Sequence, residues 1–389
     1  MMLRLPLPDG RLEPFTLSGS PVPPTPAPPA RSRVAFTAAH VVADPHGDNA
    51  PGRPAVIDWD RTLAFRRHLW SLGLGVADAM DTAQRGMGLD WDATQTLIRR
   101  SAAAARDVGG RIAVGAGTDQ LPPTDHNLEA VTAAYTEQLA VTEDAGAQPI
   151  LMASRALCAA ATSPDDYHLV YGRLLSQVRH PVILHWLGDM FDPELAGYWG
   201  AGFGPDGLDR ATDVVVEVIK AHADKVDGIK VSLLDADREV ALRRRLPDGV
   251  RLYTGDDFHY PDLIRGDDTD HSHALLGVFA AIAPSAAAAL RALDEGDHRA
   301  YDRIFAPTVP LAQHLFAAPT YYYKTGITFL AWLNGHQPGF TMVGGLHSGR
   351  SLPHLAETFR LADAAGALSD PDLAVARLRT LLAVHGVDA

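Results

Sequence analysis

Lysine is scarce in this chain. Of the 34 basic residues among 389, four are lysines and 30 are arginines. Lys220 and Lys225 lie in a polar helix end and a loop, Lys324 follows a run of tyrosines, and Lys230 interrupts the apolar run Val-Asp-Gly-Ile-Lys-Val at 226–231. Lysine, unlike arginine, carries an amine that can lose its proton in a dry site and attack a carbonyl carbon. Lys230 is therefore the first candidate for a nucleophile that forms a Schiff base.

Cysteine is almost missing, and the sequence has neither a long apolar run nor an excess of positive charge. The one cysteine, Cys158, excludes an internal disulfide and is typical of a reducing compartment. No apolar run reaches the length of about 18 residues that a membrane span needs, and early prolines interrupt any apolar core of a signal peptide. The net charge of −13 and a pI near 5.7 disfavour nucleic acid. We expect a soluble, cytoplasmic protein with no membrane or nucleic-acid partner.

Proline is concentrated in residues 21–30, where six of ten positions are proline. Because proline lacks an amide hydrogen and favours extended backbone, this segment predicts a spacer. It closes an N-terminal extension over residues 1–32. A main domain over 33–293 follows. From 294 to 389 the apolar spacing is mainly helical, which predicts a helical C-terminal extension packed on the main domain.

Short apolar runs alternate with segments of helical period along the main domain. The runs cover residues 33–39, 76–80, 112–117, 148–153, 181–186, 226–231, 250–255 and 273–277. Near-continuous apolar strands joined by helices predict a parallel sheet covered on both faces, and eight such units close a (β/α)8 TIM barrel. An open doubly wound sheet is the alternative, but no Gly-x-Gly-x-x-Gly turn follows the first run.

In such a barrel the active site lies at the carboxyl ends of the strands. The polar residues at these ends are Thr37, His40, Asp81, Thr82, Thr118, Asp119, Ser154, Arg155, His185, Lys230, Asp256 and Asp257. Alternation places Gly228 and Lys230 on one face of the sixth run, which we assign to the barrel interior. Gly228 would leave space beside Lys230, and burial there would favour the neutral amine. The alternative is a structural lysine that a carboxylate such as Asp256 neutralises.

Three other features near the strand ends have both a catalytic and a structural interpretation. His185 ends the fifth run and can transfer protons, or it is a hydrogen-bonded core histidine. Asp256 and Asp257 can orient a hydroxyl group or act as acid or base, but at least one of them is expected to cap the next helix. The loop 256–273 is rich in histidine and aspartate but lacks compact metal-ligand spacing, so we assign no metal ligand.

Three short motifs, in the same order along the chain, resemble those of the dihydrodipicolinate synthase and N-acetylneuraminate lyase family of class I aldolases. The Gly-Ile-Lys that ends at Lys230 is similar to the family's imine-forming signature. Thr-Gly-Asp-Asp at 254–257 is similar to its Ser-Gly-Asp-Asp, and Ala-Gly-Thr at 116–118 resembles the end of its third strand. The resemblance implies a (β/α)8 barrel, a covalent imine on Lys230 without a cofactor, a small-molecule carbonyl substrate and a homo-oligomer.

The chain also departs from this family, so it resembles a divergent branch. Thr82 matches the first threonine of the family's Gly-Thr-Thr-Gly-Glu, which relays protons, but the second threonine and the glycine are absent. His185 stands where the family has its catalytic tyrosine, and Met190 where the synthases have an arginine that binds a carboxylate. Arg155 can bind a carboxylate or phosphate instead. A genuine dihydrodipicolinate synthase is therefore not expected.

The sequence thus predicts a class I aldolase or lyase that acts on a keto acid or a polyhydroxylated carbonyl compound. Lys230 would form the imine, and His185 and Thr82 would transfer protons. The residues predicted to bind the substrate are Thr118, Ser154, Arg155, Asp256 and Asp257.

Two other functions stay open at this point. The first is a metal-dependent sugar isomerase or epimerase on the same barrel, with Lys230 as a base. Its metal ligands would be His185, Asp257, His259 and His271. The second is a non-catalytic sugar-binding barrel, for which ligand binding would survive the loss of Lys230.

Overall fold

The computed structural model describes residues 2–122, 124, 127–203 and 206–388. The chain begins with an antiparallel hairpin of two strands, β1 (Met2–Pro6) and β2 (Leu12–Thr16). Leu3 and Leu5 of β1 are fully buried, so this hairpin contributes to the hydrophobic core.

Eight further strands form a closed parallel barrel. They are β3 (Ala35–Ala38), β4 (Gly75–Asp78), β5 (Ile112–Ala116), β6 (Gln148–Leu151), β7 (Val182–Leu187), β8 (Val226–Ser232), β9 (Arg251–Thr254) and β10 (His273–Leu276). Their order around the barrel is β10–β3–β4–β5–β6–β7–β8–β9. All residues of β4 and of β7 are buried, as expected for strands covered on both faces. The predicted (β/α)8 barrel is confirmed, and the open sheet is wrong because the strands close on themselves.

Helices follow the strands and dominate the C-terminal part. The α-helices of the described residues are α1 (Trp59–Ser71), α2 (Trp91–Val108), α3 (Leu128–Asp144), α4 (Arg155–Ala160), α5 (Pro164–Gln177), α6 (Gly207–Ala221), α7 (Ala236–Arg243), α8 (Tyr260–Arg265), α9 (Ala283–Asp294), α10 (His298–Phe305), α11 (Thr308–Leu315), α12 (Tyr323–Leu333), α13 (Leu352–Ala364) and α14 (Pro371–Val384). Aspartates begin several of them: Asp58, Asp90 and Asp235 each accept a backbone N–H in the first turn, which satisfies a donor that the helix leaves open.

The contacts between residues divide the chain into two compact units. The first consists of Met1–Leu74, Asp81–Leu89 and Gly277–Ala389, and the second of Gly75–Met80 and Asp90–Leu276. A helical C-terminal part is present, as the apolar spacing indicated. The domain boundaries near residues 32 and 293 stay a prediction.

The proline-rich segment has no helix or strand and is held against other parts of the first unit. The backbone N–H groups of Ser18 and Gly19 both donate to the Asp363 carboxylate, at 2.9 and 3.1 Å. Further along, Val22 donates its backbone N–H to the carbonyl oxygen of Gly366 at 2.9 Å. Ala27 also donates its backbone N–H to the carbonyl oxygen of Ser71 at 3.0 Å. Hydrogen bonds therefore fix both the proline-rich segment and the residues just before it.

Among the helices of the described residues, none combines the length and the apolar composition that a membrane crossing requires.

Candidate active site

Lys230 lies between two buried side chains on neighbouring strands of the second unit. The register pairs Lys230 of β8 with His185 of β7 on one side and with Tyr253 of β9 on the other. Lys230 is 7% exposed, and both neighbours are buried. The strand pairing thus brings together the two residues that the sequence predicted for imine formation and proton transfer, Lys230 and His185.

The space beside Lys230 is provided by Gly255, which follows β9. A Cβ atom on Gly255 would lie 2.7 Å from Lys230 Cε and 2.8 Å from the Val231 carbonyl oxygen, and it would clash with Ser232 Oγ. The expectation that Gly228 leaves this space is wrong. A Cβ atom on Gly228 would instead lie 2.5 Å from the Arg251 carbonyl oxygen and 2.7 Å from the ring of Tyr253, so that glycine allows the close approach of β9.

His185 is held in its neutral form. Burial lowers the pKa of this imidazole well below its ordinary value, and the nearby Lys230 lowers it further. His185 Nε2 lies 3.4 Å from Ser232 Oγ, and within the described part of the chain no hydrogen-bond partner reaches Nδ1. A neutral imidazole can accept a proton and return it, which is what general acid–base catalysis requires.

The burial of His185 predicts a loss of stability in acid. The folded protein keeps the imidazole neutral, whereas the unfolded chain binds a proton near pH 6.5, so the free energy of unfolding falls as the pH drops below about 6.5. One such group contributes a slope of up to about 1.4 kcal/mol per pH unit. In urea unfolding between pH 7 and 5, we expect His185→Gln to flatten this slope. His46→Gln, which changes an exposed side chain, should leave the slope unchanged; equal slopes for all three proteins would contradict the prediction.

The turn after β9 carries the two predicted aspartates. Asp256 Oδ1 accepts the backbone N–H groups of Phe258 and His259 at 2.8 and 3.0 Å, and Oδ2 lies 2.9 Å from His259 Nδ1. Asp256 therefore stabilises the turn that leads into α8. The expectation that one of these aspartates caps the helix is wrong, because the N-cap of α8 is His259 and, among the described residues, no side chain caps its first turn. Asp257 beside it is buried.

Thr118 and Ser154 come together at the ends of β5 and β6. Their hydroxyl oxygens are 2.6 Å apart, and Ser154 Oγ also accepts the backbone N–H of Leu157 as the N-cap of α4. The backbone N–H of Ser154 donates to the buried phenol of Tyr198 at 3.2 Å. Both predicted hydroxyl groups thus have partners within the protein.

Arg155 is paired with two carboxylates of the segment that follows β7. Its Nε lies 2.7 Å from Asp192 Oδ2 and its Nη1 lies 3.2 Å from Glu194 Oε1, and the side chain is partly exposed. Partly exposed ion pairs contribute only about 0–1 kcal/mol each. A substrate anion would therefore compete with Asp192 and Glu194 for this guanidinium at a modest energetic cost.

Thr82 belongs to the first unit, in a short 3-10 helix (Asp81–Ala83). Its hydroxyl lies 2.7 Å from that of Tyr323, the first residue of α12, and both side chains are buried. The Tyr323 ring stacks on Phe316, with centroids 4.3 Å apart. The sequence displays three consecutive tyrosines at 321–323, but its spacing gave no reason to associate one of them with Thr82.

We expect the Thr82–Tyr323 hydrogen bond to contribute measurably to stability. In a double-mutant cycle of Thr82→Val and Tyr323→Phe, the coupling between the two hydroxyl groups should be about 0.5–1.5 kcal/mol. The cycle compares the free energies of unfolding of the wild type, the two single variants and the double variant, each measured in urea. The matched control pairs Thr82→Val with Tyr322→Phe and should be additive; additivity in both cycles would contradict the prediction.

The histidines and aspartates of loop 256–273 do not form a metal centre. Within the part of the chain that the structure describes, no three histidine, cysteine, aspartate or glutamate residues are grouped so that they could hold a metal ion. His259 is engaged by Asp256, and Asp267 pairs with Arg243 and Arg244. The ligand set His185, Asp257, His259 and His271 is therefore not assembled.

A family model described as "Protein of unknown function (DUF993)" matches residues 3–387. The chain belongs to the DUF993 family. Comparison of this DUF993 protein with curated proteins gave no match.

Solved structures show what the DUF993 chain is similar to in fold. The dihydrodipicolinate synthase of Thermotoga maritima superimposes with a TM-score of 0.64 at 14% identity, covering 86% of this chain and 99% of that one. The 4-hydroxy-tetrahydrodipicolinate synthase of Methylacidiphilum fumariolicum SolV gives 0.64 at 14% identity, covering 90% and 99%. The dihydrodipicolinate synthase of Aquifex aeolicus gives 0.59 at 12%, covering 91% and 98%. The resemblance predicted from the motifs is confirmed at the level of the fold.

Proposed function

We propose that this DUF993 protein is a class I aldolase or lyase that forms an imine between Lys230 and a small carbonyl substrate. The observation that carries the proposal is the position of Lys230: a nearly buried amine on a barrel strand, next to a neutral His185. Burial disfavours a charged amine and supports its use as a nucleophile. The dihydrodipicolinate synthase fold of the barrel supports the same chemistry.

The proposed reaction uses the groups around Lys230 in a defined order. The neutral amine attacks the carbonyl carbon, a C–N bond forms as the π bond of the carbonyl group breaks, and the former carbonyl oxygen takes up a proton from solvent. His185 accepts the proton that the nitrogen loses and returns it to the hydroxyl group, which leaves as water. The protonated imine then accepts an electron pair from a bond at the adjacent carbon, which gives an enamine. In cleavage this is the pair of the carbon–carbon bond that breaks. In elimination it is the pair of a carbon–hydrogen bond whose proton goes to a base, and the enamine then expels the β-hydroxyl group, which takes the carbon–oxygen pair and a proton and leaves as water. Ser232, 3.4 Å from His185 Nε2, orients the imidazole.

The proposed substrate class rests on the imine chemistry of Lys230 and on the polar side chains predicted to surround it. We propose a keto acid or a polyhydroxylated carbonyl compound, bound by Thr118, Ser154, Arg155, Asp256 and Asp257. All five side chains have partners within the protein, so the substrate replaces some of these interactions. Dihydrodipicolinate synthesis is not proposed, because His185 and Met190 occupy the positions of the tyrosine and the arginine expected for it. The proton-relay role of Thr82 stays a prediction.

Borohydride trapping tests the imine directly. The protein is incubated with pyruvate or with dihydroxyacetone, reduced with sodium borohydride, digested and mapped by mass spectrometry. We expect the mass of the reduced probe on the peptide that contains Lys230. Turnover of a carbonyl substrate, without any substrate mass on Lys230 after reduction, would rule out the imine mechanism.

The homo-oligomer implied by the resemblance also stays a proposal. Light scattering coupled to size-exclusion chromatography measures it directly.

A further inference from the structure

Glu239 is a buried carboxylate that no sequence motif singles out. It lies on α7, the helix that follows β8, and it is 1% exposed. Its neighbours in sequence, Asp237 and Arg238, are polar and more exposed, so the sequence of this helix is typical of a solvent-exposed helix. A carboxylate is rarely buried without partners, because removal from water disfavours its charge.

Two hydroxyl groups, one at the end of β9 and one just before β10, donate hydrogen bonds to the two oxygens of Glu239. Thr254 Oγ1 donates to Oε2 at 3.0 Å, and Ser272 Oγ donates to Oε1 at 2.8 Å. Thr254 ends β9, and Ser272 immediately precedes β10. The Glu239 carboxylate therefore connects α7 by hydrogen bonds to the end of β9 and to the residue before β10.

The hydroxyl group of Thr254 links Glu239 to the turn beside Lys230. A hydroxyl has one hydrogen to donate, and Thr254 gives it to Glu239, so its oxygen is oriented to accept. It accepts the backbone N–H of Asp256 at 3.1 Å. Between these two residues lies Gly255, whose absent Cβ atom would lie 2.7 Å from Lys230 Cε. Through the Thr254 hydroxyl, Glu239 thus stabilises the backbone that contacts the Lys230 side chain.

Charged groups around Glu239 complete the network. Arg243, on the same helix, donates from Nη1 to Ser272 Oγ at 3.0 Å and pairs with Asp267 and Asp270 at 3.4 Å. The pKa of Glu239 is raised to about 8: burial is the main cause and Asp256 adds to it, and both outweigh the opposite effects of the hydrogen bonds from Ser272 and Thr254 and of the charge of Arg243. A change of charge at Glu239 therefore falls within a pH range in which enzymes are commonly assayed.

We propose that Glu239 is a positioning residue for Lys230, which acts through Thr254 and Gly255 and touches no substrate. The inference deepens the proposed function and rests on it for its catalytic meaning. Loss of the carboxylate frees the Thr254 hydroxyl to rotate, and the Asp256 N–H loses its oriented acceptor. The Gly255 backbone then keeps the hydrogen bond from its N–H to the Val231 carbonyl oxygen, at 2.7 Å, but is fixed less firmly against the lysine. Small displacements of a reacting group lower rates strongly.

Competitive acetylation with acetic anhydride measures the reactivity of the Lys230 amine as a function of pH, whether or not the protein forms an imine. We expect Glu239→Gln and Thr254→Val each to change the acetylation rate of Lys230 at least about fivefold or to shift its pH midpoint. Thr254→Ser, which keeps the hydroxyl group, should restore the wild-type profile. The double variant should be no worse than the more affected single variant, because both changes break one chain of contacts. Asp237→Asn, on an exposed part of α7, is the matched control and should have no effect.

The outcomes separate this inference from the proposed function. An unchanged Lys230 profile in the folded Thr254→Val and Glu239→Gln variants overturns the positioning role, whatever the trapping experiment gives. If Glu239→Gln does not fold, the comparison of Thr254→Val with Thr254→Ser decides alone, and equal profiles for these two overturn the inference. A changed profile in a protein that traps neither pyruvate nor dihydroxyacetone supports the positioning role and counts against the imine proposal.

Discussion

Replacement of Lys230 by arginine is expected to lower the turnover of a carbonyl substrate at least about a thousandfold, as loss of a covalent nucleophile does in other enzymes. Arginine keeps much of the side-chain length, but its guanidinium does not lose a proton and cannot form the imine. We also expect no reduced probe on this position after borohydride treatment. Steady-state kinetics and peptide mapping of the same preparation check both outcomes.

The chain provides a matched control for this substitution. Lys324 is the other buried lysine among the described residues, and its Nζ lies 3.1 Å from Met87 Sδ. Lys324→Arg changes the same functional group in an equally buried setting, so it controls for the general effect of a larger cation in the core. Trapping on Lys230 should persist in Lys324→Arg. Retention of more than about a tenth of the activity in Lys230→Arg would show that the reaction does not depend on this amine.

Gly255→Ala is expected to disturb both the stability of the protein and the reactivity of Lys230. The added methyl group would lie within 3 Å of Lys230 Cε and of the Val231 carbonyl oxygen and would clash with Ser232 Oγ. The lysine end can move, but the carbonyl belongs to β8 and cannot move without altering the strand. Overpacking of this kind costs about 1–3 kcal/mol, and displacement of the amine should lower the rate of imine trapping at least about tenfold. Urea unfolding and timed borohydride quenching measure the two effects.

Two further variants make the Gly255 result specific. Gly172→Ala adds the same methyl group inside α5, where its nearest contact is His222 Nε2 at an ordinary 3.5 Å, so it should be neutral or slightly stabilising. Ser232→Ala in the Gly255→Ala background removes the hydroxyl oxygen and should recover part of the stability. Wild-type stability and trapping in Gly255→Ala would contradict the packing described around Lys230.

The sequence predicted the barrel well because its evidence is local. Each strand is a short apolar run, because both faces of the barrel sheet are covered by other parts of the protein. Such a run is recognisable in the sequence without knowledge of the neighbouring strands. Lys230 was recognisable for the same reason, since it interrupts such a run. The motif order then predicted which fold to expect, and the superpositions agree with it.

What the sequence could not predict depends on contacts between distant segments. Glu239 belongs to a helix whose sequence is polar. Its buried carboxylate is hydrogen-bonded by Thr254 and Ser272, which lie 15 and 33 residues away in the sequence. The partners of Arg155 follow β7, 37 residues further along the chain for Asp192. Such pairs leave no periodic signal, so a free arginine and an engaged one look the same in the sequence.

Strict alternation also failed at one position of β8. The register with β7 passes from Val226 directly to Gly228, which leaves Asp227 without a paired residue and marks an irregularity in the strand. Asp227 accepts a hydrogen bond from Tyr253 at 2.6 Å and pairs with Arg251. Alternation assigns side chains to the two faces of a strand only where the register is regular. One additional residue in the strand shifts the alternation, so the assignment fails on crossing that residue.

The hydrogen bonds of the proline-rich segment have a practical meaning for fragment design. The composition suggests that a fragment could start near residue 33. Such a fragment would lack the two backbone N–H groups that donate to the Asp363 carboxylate. It would also remove those that Arg31 and Ser32 give to Asp294, each at 2.8 Å, and it would uncover the surface against which Leu3 and Leu5 are buried. We therefore expect the barrel to be expressed best together with residues 1–32, although their composition makes them look dispensable, and an affinity tag is better attached before these residues than substituted for them.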